Sequence, residues 1–177
     1  MKEIVNPWKG IEGYKCFGCS PDNPLGLRMS FAEDGEYIIS VWQPNETFQG
    51  WINTLHGGIQ ATLIDEAAGW VVFRKLRTSG YTSKMDIRYL KPVSTAEGPV
   101  TLRARLINRK MMMAFIEVKL YNCNEELAPT PPAYIVYIPA TLRSGNSTSK
   151  IQCSGPMVRF FLLYLRKIND YDTYSAH

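Results

Sequence analysis

His56, Gly57 and Gly58 stand directly before a long apolar stretch, and Asp65 follows His56 by nine residues. Two adjacent glycines let a ligand approach the backbone with no side chain in the way. If a helix begins there, its first N–H groups lack internal partners and point outward with the positive end of the dipole. Such a terminus suits a carbonyl oxygen that gains negative charge during acyl transfer. A carboxylate about two turns further along, Asp65, then acts on water or on the carbonyl carbon. At 1.5 Å of rise per residue Asp65 sits about 10 Å along the axis from Gly58. One helix therefore does not bring both to one carbonyl, and two chains facing each other complete each site better. Plainer readings exist. A Gly-Gly pair before a helix is often only a tight turn, and Asp65 can be a solvated position or an ion-pair partner of Arg88. An unpaired carboxylate inside an apolar helix is costly, however, and that favours chemistry. Glu66 is a rival carboxylate, because one sequence does not fix which side of the helix meets the cleft.

The elements that would position these residues follow from periodicity. The first 26 residues, rich in Gly, Pro, Asn and Asp, read as an irregular lead-in. Residues 27–32 and 36–43 read as strands around the turn formers Asp34 and Gly35. Residues 57–77 form the one convincing helix: Ile59, Leu63, Ala67, Trp70 and Val71 fall at helical spacing. Arg74, Lys75 and Arg77 favour its C-terminal end, and Gly80 is the expected terminator. Few charges precede Arg74, so the helix is expected to be mostly buried. Strands follow at 81–91, 98–108, 111–122 and 133–138, the middle pair meeting across an Arg109-Lys110 turn. One long apolar helix wrapped by an antiparallel sheet of five to six strands is an α+β architecture.

Length and composition bound the remaining choices. At 177 residues the chain holds one domain, expected over 1–138, with an extension over 139–177 containing a short helix at 157–168. Residues 1–138 carry 15 Lys/Arg against 14 Asp/Glu, and the extension carries five against two. The domain is thus nearly neutral, which argues against nucleic-acid binding. No apolar stretch of spanning length occurs, and the N-terminus lacks a signal-peptide core. Four scattered cysteines (Cys16, Cys19, Cys123, Cys153) do not make a disulfide framework. A reduced, cytoplasmic protein is the expectation. Cys16 and Cys19 form a C-x-x-C, but a structural zinc wants four ligands. Cys123, Cys153 and His56 are not arranged as a second pair, so no metal and no cofactor is expected.

The chain resembles the PaaI-like acyl-CoA thioesterases of the hotdog-fold superfamily over about residues 14–138. The resemblance rests on CFGC (Cys16–Cys19) with NPLGL (Asn23–Leu27), on FQGWINTLHGGIQATLIDEAAG (Phe48–Gly69) and on YTSKMDIRYLKPV (Tyr81–Val93). It implies a hotdog domain, working as a homodimer or homotetramer with the site at the subunit interface and an acyl-CoA as substrate. By position, Gly58 would give its N–H to the thioester oxygen, with Gly57 beside it. His56 would orient the thioester, and Asp65 would be general base or nucleophile. Gln49, with Asn53 second, is the candidate for positioning water, and Thr82 or Ser83 for the polar position near the attacked carbon. Apart from the resemblance, Arg88, Lys91, Arg103 and Arg105 are candidates either for the coenzyme A phosphates or for the solvated face of the sheet. Likewise apart from it, Trp51, Trp70, Phe73 and Tyr81 are candidates for an acyl pocket or for the core. Two other functions share the resemblance. A hydratase or dehydratase would need a His with an acidic partner in a different motif, and a non-catalytic acyl-CoA sensor would gain nothing from Asp65.

Overall fold

The computed structural model describes residues 1–89, 91–111 and 113–124, and the backbone of a strand at 133–139. The chain divides into two compact units, Met1–Thr141 and Leu142–His177. The second unit, and with it the helix expected at 157–168, lies outside the described residues. Among the described residues no helix is long and apolar enough to cross a membrane.

The centre of the first unit is α1 (Gly57–Leu76), which buries Leu63, Ile64, Ala67, Ala68, Trp70, Val71 and Val72. The larger aliphatic ones, Leu63, Ile64, Val71 and Val72, are each worth roughly 1.5–3 kcal/mol when removed from water. They pack on the inner face of a seven-stranded antiparallel sheet. Its strands are β1 (Lys2–Ile4), β2 (Phe31–Asp34), β3 (Tyr37–Trp42), β6 (Gly80–Asp86), β7 (Val100–Lys110), β8 (Met113–Tyr121) and β9 (Ala133–Pro139). Their spatial order is β1-β2-β3-β7-β8-β9-β6. Ile38, Leu102, Ala104, Ile116, Val118 and Leu120 face the helix at period two and are fully buried. The expected helix-and-sheet architecture is thus present, with β1 added from the lead-in at one edge.

Several boundaries differ from expectation for identifiable reasons. Residues 27–30 do not join the sheet, because Arg28 takes a left-handed backbone (φ 51). The N–H groups of Leu27 and Met29 instead bond to the carbonyls of Phe17 and Gly18 in the lead-in, at 2.7 and 2.9 Å. β2 and β3 meet across a two-residue turn with Gly35 at φ 57, the geometry that suits the twist of a hairpin. The β7–β8 turn falls at Met111 (φ 51), two residues beyond the expected place, since Lys110 pairs with Met113. The helix stops at Arg77, itself left-handed (φ 50), rather than at Gly80, which opens β6. Its last turn is tied to the sheet: Arg74 pairs with Glu33 at 3.2 Å, and Lys75 pairs with the same carboxylate.

A second, small hairpin, β4 (Gln49–Trp51) and β5 (Thr54–Leu55), delivers the chain to the helix. Asn53 turns it with φ 56. The N–H of Leu55 bonds to the Val93 carbonyl at 2.8 Å, and that of Thr95 to the Asn53 carbonyl at 3.1 Å. The helix start is thereby anchored to the segment leading into β7.

Candidate active site

The start of α1 is built by its neighbours as much as by its own glycines. His56 is the N-cap, and its Nδ1 accepts the Gly58 N–H at 2.9 Å. A Cβ at Gly58 would stand 3.0 Å from that Nδ1, and one at Gly50 would stand 3.0 Å from His56 Cδ2. Both glycines therefore make room for the imidazole. Tyr89, which sequence reasoning passed over, donates its hydroxyl to the Gly57 carbonyl at 2.9 Å. An isolated tyrosine carried no sequence signal for that role.

Two turns along, Asp65 is half-buried and faces β6, where Thr82 Oγ1 donates to Asp65 Oδ1 at 2.5 Å. The register of β6 against β9 shifts between Thr82 and Lys84, a bulge that holds Ser83. Bulges re-aim side chains and recur beside active sites. Tyr81, Thr82, Ser83 and Lys84 are all exposed on this edge strand.

Glu66 is in different surroundings. The Trp70 Nε1–H donates to Glu66 Oε1 at 3.1 Å, and Cys16 Sγ lies 3.5 Å from Oε2. A Cβ on Gly18 would come within 2.3 Å of Oε2, so the lead-in backbone lies directly over the carboxylate. Burial pushes the Glu66 carboxyl up to about 7, with the Cys16 sulfur adding to the effect. The Cys19 thiol donates to the Cys16 sulfur at 3.4 Å and holds Cys16 down to about 5, while Cys19 itself is pushed up. The Tyr14 hydroxyl, 3.0 Å from Cys19 Sγ, is raised mainly by its burial.

The remaining candidates divide. Gln49 and Asn53 are exposed at the small hairpin, where Gln49 Oε1 accepts the Asn53 N–H at 3.3 Å. Arg88 and Lys91 are exposed beyond the end of β6. Arg103 lies over the Tyr37 ring, and Arg105 pairs with Glu36 and Glu117 at 3.1 and 3.0 Å, so both are engaged on the outer sheet face. Trp70 is not an acyl-pocket residue. It is 3% exposed, stacked on Phe31 at 4.8 Å and edge-on to Phe73 and Trp8. Phe73 belongs to the same cluster, 4.8 Å from Trp8. Trp51 and Tyr81, by contrast, are 76% and 68% exposed, with Ile52 and Tyr89 also open nearby in sequence.

A sequence model of the thioesterase superfamily matches residues 52–128. A protein of Saccharolobus solfataricus that carries the name esterase is 30% identical over 132 residues, covering 73% of this chain and 82% of that protein. Two solved structures share the fold. One, a thioesterase superfamily protein, has a TM-score of 0.60 and 19% identity over 67% of this chain, which spans 57% of that protein's length. The other, a hypothetical thioesterase of Streptococcus pneumoniae solved with coenzyme A, has a TM-score of 0.58 and 19% identity, with 66% and 88% of the two chains covered.

Proposed function

The chain belongs to the thioesterase superfamily, and from that premise we propose that it hydrolyses acyl-coenzyme A to the free acid and coenzyme A. The observation that carries this reading is the Thr82–Asp65 hydrogen bond on a helix that opens with His56-Gly57-Gly58. A half-buried carboxylate oriented by a hydroxyl, on the strand edge of the fold, is the group best placed to take a proton from water. In the proposed step Asp65 accepts that proton as the water oxygen bonds to the thioester carbon. The oxyanion formed is met by N–H groups of a helix start. The tetrahedral species then collapses, the C–S bond breaks, and the coenzyme A thiolate leaves to be protonated.

The Gly58 N–H is held by His56, so the oxyanion gains it only when the imidazole turns aside. His56 is thereby the group that exchanges with the thioester oxygen. The helix start and Asp65 are too far apart on one helix to share a thioester, so each site takes its helix start from one chain and its Asp65 from a second copy. The exposed edge of β6, flanked by the open side chains of Tyr81 and Tyr89, supports a contact there between copies. The CFGC and NPLGL lead-in supports a PaaI-like assignment within the superfamily.

The experiment is thiol release from a panel of aromatic, short, medium and long acyl-coenzyme A thioesters, wild type beside Asp65→Asn. Release that collapses in the variant is expected. Tight binding without release from any member would replace hydrolysis by a sensor function. Mixing Asp65→Asn with Gly58→Ala, each inactive alone, should restore activity if the sites are shared between chains; no restoration would place each site within one chain.

A further inference from the structure

The lead-in contains a cluster that the hydrolytic site does not use. Cys16, Cys19 and Glu66 place two sulfurs and a carboxylate oxygen within 4.8 Å of one another. All three sit at a junction where the lead-in, poor in regular structure, meets the middle of α1. We infer that they form a binding site for a zinc-class divalent cation, which staples residues 16–19 to the helix.

The spacing of the donors supports this. A tetrahedral zinc with Zn–S of about 2.3 Å and Zn–O of about 2.0 Å has S···O edges of about 3.5 Å and S···S edges of about 3.8 Å. The Cys16 Sγ to Glu66 Oε2 distance is 3.5 Å, and the sulfur pair stands at 3.4 Å. Both of these edges lie within a few tenths of an ångström of that geometry, and Cys19 Sγ lies within 4.8 Å of the Glu66 carboxylate. Two thiolates with one carboxylate select a soft or borderline ion over calcium or magnesium.

The surroundings are those of a ligand set held in orientation. The Cys19 N–H points at Cys16 Sγ at 3.4 Å, as expected when a tight turn presents two sulfurs to one point. The Trp70 indole fixes one oxygen of Glu66 and leaves Oε2 toward Cys16. The Tyr14 hydroxyl supports the Cys19 sulfur, and Asn6 bonds both that hydroxyl, at 3.4 Å, and the Cys19 carbonyl, at 2.9 Å. Outer partners of this kind set ligand direction in metal sites. Among the described residues no Lys, Arg or His contacts Glu66. A half-buried carboxylate next to two sulfurs thus has no cation beside it, a place that a bound metal would fill. A fourth position remains open to water or to the Tyr14 oxygen.

The test uses the full chain, purified reduced and without added metal, and reads zinc content together with cobalt(II) substitution. Roughly one zinc per chain is expected, falling to background in Cys16→Ser and Cys19→Ser and unchanged in Cys123→Ser. Cobalt(II) titrated into chelator-treated wild type should give a sulfur-to-cobalt charge-transfer band and the intense visible bands of a tetrahedral ion. This arm needs no variant to fold. Chelation should also lower the Tm by several degrees. Wild type that holds no zinc and gives no charge-transfer band overturns the site, as does wild type isolated with a Cys16–Cys19 disulfide. An unchanged cobalt spectrum in Glu66→Gln overturns the assigned donor set.

Discussion

Asp65 and Glu66 are neighbours in sequence and strangers in environment. Asp65 lies against the edge strand β6 with the Thr82 hydroxyl on its carboxylate, half-open to solvent. Glu66 lies under the backbone of Gly18, between a tryptophan and two cysteines. One step along a helix turns a side chain by about 100°, and here that rotation separates the carboxylate proposed to react from one held beneath the lead-in. The difference teaches that an acidic pair on a buried helix need not be a catalytic dyad.

The largest expected effect sharpens this contrast. Asp65→Asn should lower kcat by about a thousandfold, equal to about 4 kcal/mol of barrier, while thermal unfolding stays near wild type. Glu66→Gln should do the reverse, lowering the Tm with kcat changed only a few-fold. Loss of turnover in Glu66→Gln with an unchanged Tm would exchange the two roles.

Next in size is Gly18→Ala. Its Cβ would occupy the space of the Glu66 carboxylate, and displacing that group from Trp70 should cost about 2 kcal/mol in denaturant unfolding. The penalty should shrink in the Gly18→Ala/Glu66→Ala double variant, because the two positions share one space. Additive penalties would mean that Gly18 matters for another reason.

A smaller effect is expected at Thr82. Thr82→Val removes the hydroxyl from Asp65 and should reduce kcat about tenfold, or about 1.4 kcal/mol, with Thr82→Ser close to wild type. Loss in Thr82→Ser with Thr82→Val close to wild type would argue that the threonine methyl, not the hydroxyl, is what Asp65 needs.

The smallest concerns the other end of the helix. The Lys75 ammonium, with Arg74 beside it, holds the Glu33 carboxyl below its ordinary range. A lowered folded-state pKa adds stability above the unfolded value and loses it as pH falls through the folded one. These groups are partly exposed, so Glu33→Gln should cost under about 1 kcal/mol at neutral pH. That difference should shrink in urea titrations as the pH falls through the lowered folded-state value, where the wild-type carboxyl takes its proton. A difference that persists in acid would rule out the ion pair as its source.

Much of the fold was legible because it rests on periodicity. Leu63, Ala67, Trp70 and Val71 recur at helical spacing, and Val100, Leu102 and Ala104 alternate, whichever partner they meet. What the sequence hid depends on long-range partners. Leu27 and Met29 read as strand because they are apolar and alternate, yet their hydrogen bonds go to Phe17 and Gly18. Trp70 and Phe73 looked available to an acyl chain because nothing in the sequence shows the lead-in aromatics folding over them. The motif around His56 announced a helix start, but not that His56 itself holds the Gly58 N–H. Glu66 as a companion of the C-x-x-C pair lies 50 residues away from Cys16, and no spacing rule reaches that far.

The docking of the lead-in on the helix also has a consequence in time. During synthesis residues 8–19 leave the ribosome well before Glu66, Trp70 and Phe73, their main partners in α1. At 5–20 residues per second a delay of 50 residues lasts roughly 3–10 s. Throughout that interval the lead-in has only its own near neighbours, such as Tyr14 against Trp8 and Cys19, to pack on. The lead-in is made before the helix surface on which it docks.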